Sequence, residues 1–309
     1  MEPAPLRNDL AEGPEGGGAV WVRTRDGVRL RAGGWPGGSA GTVLLFTGRT
    51  EYIEKYGRIA RLLADWNLAT ATFDWRGQGL ADRVAGDRNI GHVRRFEDYR
   101  LDVETFLKAV RSMEFPEPFH LLAHSMGGAI GLRALTEGLP VRSAVFSAPM
   151  WGINFPFWLR PFTGLILGSG QALGLGLAYA PGTGPKPYPF RQPFEGNRLT
   201  SDAESYEWLR AHIRAEPRFG LGGPSVIWLR EAIRAARELQ SIGEVPCPAL
   251  TLFGSEEDTV DPVAIMRLGR SWANGTVETL PAARHEAMME TPEIRADFVR
   301  RSARHMLAC

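Results

Sequence analysis

The run Phe119-His120-Leu121-Leu122-Ala123-His124-Ser125-Met126-Gly127-Gly128 constrains this chain more than any other stretch. A short apolar segment ends at a serine flanked by small residues, and an Ala/Ile/Leu-rich helical segment begins at once. A strand that becomes a helix at one serine forces that residue into a strained corner. The strain lifts the hydroxyl above the end of the sheet, where substrate reaches it and the helix N-terminus points at it. The pattern expected of such a corner is Gly-x-Ser-x-Gly. Ala123 replaces the first glycine and is small enough to let strand and helix approach. A serine that merely caps a helix after a buried strand would look similar, so the corner needs support from the rest of the chain.

Strand and helix patterns supply that support. Residues 20–25 and 28–32 alternate around Asp26-Gly27 and predict a hairpin. Residues 42–47 form an unbroken apolar run, too short for a helix and suited to a strand covered on both faces. Residues 56–66 carry Ile59, Leu62, Leu63 and Trp66 at helical spacing, and 68–73 predict the next strand. A long amphipathic helix follows over 96–113, then the serine corner, then a strand at 144–147. After an interruption the pattern resumes with a helix at 226–239, a strand at 248–253 and a helix at 262–272. A strand at 276–280 and a final helix at 291–306, with Pro292 at its start, complete it. Such alternation argues for right-handed crossovers and a mostly parallel, twisted sheet with helices on both faces, an α/β fold. At 309 residues, 44% of them hydrophobic, the chain has room for one such domain with an insertion.

The interruption, residues 151–225, is rich in Gly, Pro and aromatics and nearly uncharged over 161–185. A membrane-spanning helix needs about 20 predominantly apolar residues, and Gly164, Gly168, Gly170, Gly174 and Gly176 argue against one here. The segment reads as a cap inserted between core segments 19–150 and 226–309, its apolar surface facing an apolar substrate or a bilayer surface. Residues 1–18 lack the apolar core of a secretory signal and read as a loose tail. Cys247 and Cys309 form neither a metal pattern nor a disulfide framework, which fits a reducing, cytoplasmic setting. Peripheral contact with the inner membrane surface through the cap extends that expectation. A net charge of +1 gives no reason to propose nucleic acid as a partner.

A serine hydroxyl is a weak nucleophile at neutral pH and needs a base, a group to orient the base, and donors for the developing oxyanion. With the serine on such a corner, the acid and the histidine follow on loops after late strands. Of the six histidines, His285 alone lies just past the final strand and before the final helix. Glu256, Glu257, Asp258 and Asp261 crowd the preceding loop. Counting three residues from Gly254 selects Glu257 as the acid, with Asp258 the alternative because aspartate is the commoner choice. The oxyanion donors expected are the backbone N–H groups of Met126 and Arg49. The Arg49 side chain is open between holding a phosphate or head group and pairing with Glu51 or Glu54, the ion pair being preferred. No metal or cofactor is called for.

His124-Ser125-Met126-Gly127-Gly128, Asp74-x-Arg76-Gly77-x-Gly79 and the loops at Gly254 and His285 resemble the monoacylglycerol lipase and lysophospholipase branch of the α/β-hydrolase fold. Gly48-Arg49-x-Glu51-Tyr52-x-x-Lys55-Tyr56 and Asn197-Arg198-Leu199-Thr200-x-Asp202 resemble bacterial lysophospholipase L2-type proteins specifically. The departures are Ala123, the glutamate at the acid position, and Thr47, where many relatives carry histidine. The resemblance implies a carboxylic-ester hydrolase acting on single-chain lipids without a cofactor. Alternatives are a general short-chain esterase or thioesterase, and a non-catalytic ligand-binding protein on the same fold.

Overall fold

The computed structural model describes residues 1–154 and 175–309. Among the described residues nine strands form one sheet, ordered β1-β2-β3-β5-β4-β6-β7-β8-β9. β1 (Glu2–Ala4), β2 (Gly18–Arg23) and β3 (Arg29–Trp35) make an antiparallel edge. β4 (Thr42–Phe46), β5 (Ala69–Asp74), β6 (Phe119–His124), β7 (Ala144–Ser147), β8 (Ala249–Gly254) and β9 (Gly275–Leu280) run parallel.

The period of two along each strand divides the core into two layers. Val43 and Leu45 of β4 pack with Leu122 of β6 and Leu63 of α2 (Gly57–Ala64), over which the C-terminal helix Pro292–Ala308 lays Phe298. Leu44 and Phe46 point the other way. They join Leu121, Phe106 of α3 (Tyr99–Ser112) and Trp228 of the helix Val226–Leu239. Every side chain of β4 is buried, which is why its sequence is continuously apolar rather than alternating.

The serine corner depends on close backbone approach. A Cβ at Gly127 of α4 (Met126–Thr136) would run into the carbonyls of Phe46 and Thr47. At Gly131 an added Cβ would lie 3.1 Å from the Ala123 methyl, so Gly131 leaves the space that Ala123 occupies in place of glycine.

Two expectations change. The first eighteen residues are held: β1 pairs with β2, and a short helix, α1 (Asn8–Ala11), buries Ala11 against Trp35, Ile53 and Ala60. The indole of Trp35 fills the space beside Gly13 and Gly17, an interaction no local periodicity advertises. The insertion between β7 and Val226–Leu239 holds a helix at Ala203–Ala215, where no pattern was expected. Asp202 caps it by accepting from the Ser205 amide at 3.2 Å. That helix clasps the N-terminal segment: His212 Nε2 lies 2.7 Å from the Leu10 carbonyl, and Arg58 bridges Glu12 and Glu204. Most of the uncharged 161–185 stretch lies outside the described residues. Among those described, no helix is long and apolar enough to cross a membrane.

Gly254 ends β8 where a Cβ would strike the carbonyl oxygen of Ala283. Gly254→Ala is therefore expected to cost about 1–3 kcal/mol in urea unfolding. At Gly243 an added Cβ meets nothing within 4 Å, and Gly243→Ala is expected to stay within about 0.5 kcal/mol of wild type.

Candidate active site

Ser125 has φ 51° and ψ −115°, the positive-φ corner anticipated between β6 and α4. Its amide donates to the Ser147 carbonyl of β7 at 3.0 Å, and its own carbonyl accepts from Gly128 and Met150. These bonds hold the strained backbone on both sides.

His285, on the loop after β9, brings Nε2 to 3.0 Å from Ser125 Oγ and Nδ1 to 2.7 Å from Glu257 Oε2. A carboxylate only accepts, so Nδ1 carries the proton and Nε2 is free to accept from the serine hydroxyl. The other Glu257 oxygen accepts from the amides of Thr259 and Val260, at 2.7 and 3.0 Å. Asp258 instead turns its half-exposed carboxylate to Arg198, 3.3 Å away. The carboxylate on the imidazole is thus that of Glu257, the one Gly254 spacing selects. Burial would lift the Glu257 carboxyl, but the His285 charge and hydrogen bond hold it below its ordinary value. Burial would likewise lower His285, and Glu257 outweighs it, raising the imidazole above 6.5.

Around the serine, Glu51 takes the Gly48 amide and Gln78 the Thr50 amide. The Arg49 N–H between them, and the Met126 N–H after the serine, have no partner among the described residues. The expected ion pair of Arg49 does not form. Lys55 occupies Glu51 at 2.6 Å, and Arg31 occupies Glu54 at 2.7 Å. The Arg49 guanidinium donates to the Gly222 carbonyl at 3.0 Å and lies over the Trp228 ring.

Two supports escaped the sequence reading. Beneath the imidazole, Lys55 bridges Glu51 and Glu286, each at 2.6 Å, with every partner buried. The ammonium holds Glu51 low against burial, while burial lifts Glu286 above its ordinary value. His124, its ring 4.9 Å from that of His285, is driven down to about 4 by burial and stays neutral. Glu51, His124 and Glu286 have the donor types of a metal site. The Lys55 ammonium already bridges both of those carboxylates. The second support is the 197–202 motif. The His285 amide donates to the Arg198 carbonyl at 3.4 Å and the Glu286 amide to Leu199 at 2.8 Å. The Arg284 guanidinium binds the carbonyls of Asn197 and Thr200. The 74–79 motif is also structural: Asp74 accepts from Ile53, Leu80 and Arg31, and Gly79, at φ 51°, lets the turn close against it.

Above the serine lies a cavity of about 350 Å³. Its apolar wall includes Met150, Ile153, Leu209, Ile213, Leu221 and Leu229.

Fold and site together define a serine hydrolase of the α/β-hydrolase fold. A family model described as serine aminopeptidase, S33, matches residues 37–292, and the chain belongs to that family. It is 32% identical over 274 residues to lysophospholipase L2 of Escherichia coli K12, covering 82% of this chain and 76% of that one. Probable lysophospholipase L2 of Haemophilus influenzae is 29% identical over 268 residues, 86% of this chain and 83% of the relative. A soluble variant of Saccharomyces cerevisiae monoglyceride lipase, solved with a substrate analogue, superposes at a TM-score of 0.71 with 21% identity, over 92% and 93% of the two chains. Monoacylglycerol lipase of Paleococcus ferrophilus gives 0.70 and 19%, over 90% and 98%. These two structures share the fold. The resemblance carried by the sequence motifs is borne out.

Lys55→Met would leave two buried carboxylates facing each other without a counter-ion, at a cost of about 3–5 kcal/mol at neutral pH. Their folded-state pKa values would then lie above the unfolded ones, so the folded state would bind more protons. Its stability relative to wild type should therefore fall as pH rises from 5 to 8; urea unfolding at both pH values measures this.

Proposed function

We propose that Ser125, His285 and Glu257 form the catalytic triad of a carboxylic-ester hydrolase that cleaves the acyl ester of a lysophospholipid or monoacylglycerol through an acyl-enzyme. The observation that carries this reading is the unbroken hydrogen-bond chain from Glu257 through His285 to Ser125, at the floor of an apolar cavity. His285 Nε2 takes the hydroxyl proton as Ser125 Oγ attacks the ester carbonyl. The oxyanion that develops is met by the Met126 and Arg49 amides, the unoccupied donors beside the serine. Collapse expels the glycerol-side alcohol, which takes the proton from His285 and leaves the acyl chain on Oγ. Water, deprotonated by the same imidazole, then releases the fatty acid.

Residues 151–225 act as the cap in this reading, walling the cavity with Leu209, Ile213 and Leu221 so that a single acyl chain is shielded from water. The names of the relatives point to the same substrate class. No cofactor enters these steps. A cytoplasmic enzyme meeting its substrate at the inner membrane surface through the cap is the corresponding setting.

Ser125→Ala should abolish both hydrolysis and labelling by a fluorophosphonate probe while leaving the unfolding curve unchanged. Across nitrophenyl esters of increasing chain length and lysophosphatidylcholine, long-chain substrates should be preferred. A short-chain optimum with no lysophosphatidylcholine cleavage would instead leave a general esterase.

His285 must be neutral to accept the proton, so kcat/KM should rise with pH through a midpoint above 6.5. Glu257→Gln removes the charge that raises that midpoint and leaves burial to lower it, so the acid limb should move to lower pH. The same change should reduce kcat on the order of 10⁴-fold. Asp258→Asn should change kcat by less than about tenfold, because its carboxylate lies on Arg198.

A further inference from the structure

We propose that the Arg49 guanidinium is an anion subsite that binds the substrate's phosphodiester and so selects a lysophospholipid over a neutral monoacylglycerol, an inference that rests on the ester-hydrolase reading above. Among the described residues the buried arginines, Arg31 and Arg76, are neutralised in place. Arg31 lies between Glu54 and Asp74, and Arg76 lies between Asp26 and Asp102. Arg49 has no carboxylate within ion-pair distance among the described residues, and residues 155–174 contain no Asp or Glu to supply one. Arg83 also lacks a carboxylate partner, but it does not line the cavity above Ser125, whereas Arg49 does.

The surroundings hold the guanidinium in place and leave part of it free. Nη1 donates to the Gly222 carbonyl at 3.0 Å, and the group lies over the Trp228 ring, 5.5 Å from its centroid. A Cβ at Gly91 would sit 3.0 Å from Nη1, so the absence of a side chain there makes room for the cation. Nε and Nη2 have no acceptor among the described residues. A carbonyl and a ring face stabilise the cation without neutralising it. Burial pushes its pKa down to about 10, which still leaves it charged at neutral pH. The two carboxylates lining the same cavity, Glu51 and Glu286, are bound to Lys55 and cannot serve.

Chemistry and reach both fit a phosphodiester. The planar guanidinium fork matches two phosphate oxygens. The residue whose amide is the proposed oxyanion donor carries the cation one arginine side chain away. That is comparable with the glycerol unit separating the ester carbonyl of a lysophospholipid from its phosphorus.

The test compares kcat/KM for oleoyl-lysophosphatidylcholine and monooleoylglycerol in wild type, Arg49→Met and Arg49→Lys. The ratio of the two substrates is the readout, so any change transmitted equally through the oxyanion loop cancels. The ratio should fall at least about tenfold in Arg49→Met and recover partly in Arg49→Lys. A ratio within about twofold of wild type in Arg49→Met overturns the proposal. Inhibition of nitrophenyl butyrate hydrolysis by glycerophosphate gives an independent reading. If wild type cleaves neither lipid, the lipid-ester reading fails. The subsite then stands on glycerophosphate inhibition that weakens in Arg49→Met, and falls if inhibition is equal in both proteins. Inorganic phosphate inhibiting as strongly as glycerophosphate would mark a free-phosphate site and overturn the lysophospholipid assignment.

Discussion

Everything at this site depends on one backbone conformation, the positive φ of Ser125. A non-glycine residue there costs on the order of 1–3 kcal/mol and persists only where its surroundings leave no alternative. Here β7 fixes the serine amide from one side, and Met150 and Gly128 fix its carbonyl from the other. The glycines that follow let α4 press on the carbonyl end of β4 and on Pro149. A relaxed serine would swing its hydroxyl away from His285. The sheet, its covering helices and the glycine pattern are the means of preventing that.

Charge burial is the second constraint. Arg31 with Glu54 and Asp74, and Lys55 with Glu51 and Glu286, sit beneath the loops that surround the serine. Buried pairs of this kind are weak evidence for stability, because desolvation offsets much of the attraction. Their effect is geometric. Glu51 reaches the Gly48 amide and the Tyr56 hydroxyl while bound to Lys55, so the loop carrying the Arg49 amide is tied to the group that also holds Glu286 beside His285. His124, kept neutral by burial, packs against His285 without placing a competing charge there.

The parts legible in the sequence are those whose signal is local. β4 reads as a doubly buried strand because Val43, Leu44, Leu45 and Phe46 follow one another without a polar break, and Val226–Leu239 reads as a helix because of its apolar spacing. The positions of Glu257 and His285 are legible because the loops that carry them follow particular strands, so Gly254 and the end of β9 act as counting marks. Partner choice was not legible where it depends on residues distant in sequence. Glu51 is adjacent enough to Arg49 to suggest an ion pair, yet Lys55 takes that carboxylate and is itself held by Glu286, 231 positions further on. Trp35 holding the N-terminal segment, and the Ala203–Ala215 helix resting on that segment, are contacts of the same long-range kind.

The 197–202 strip joins the cavity wall and the His285 loop through one piece of chain. It belongs to the insertion, whose Leu209, Ile213 and Leu221 wall the cavity. Yet its carbonyls accept from the amides of His285 and Glu286 and from the Arg284 side chain. Glu290 completes the clasp by accepting from the amides of Ser201 and Arg284. A backbone amide bond constrains the loop that bears the imidazole more directly than packing alone, since it fixes both position and direction. The loop carrying His285 is thus hydrogen-bonded to the segment that walls the cavity above Ser125. Rearranging the insertion to reshape the cavity would move the imidazole as well, unless the 197–202 strip kept its place while the walls around it changed.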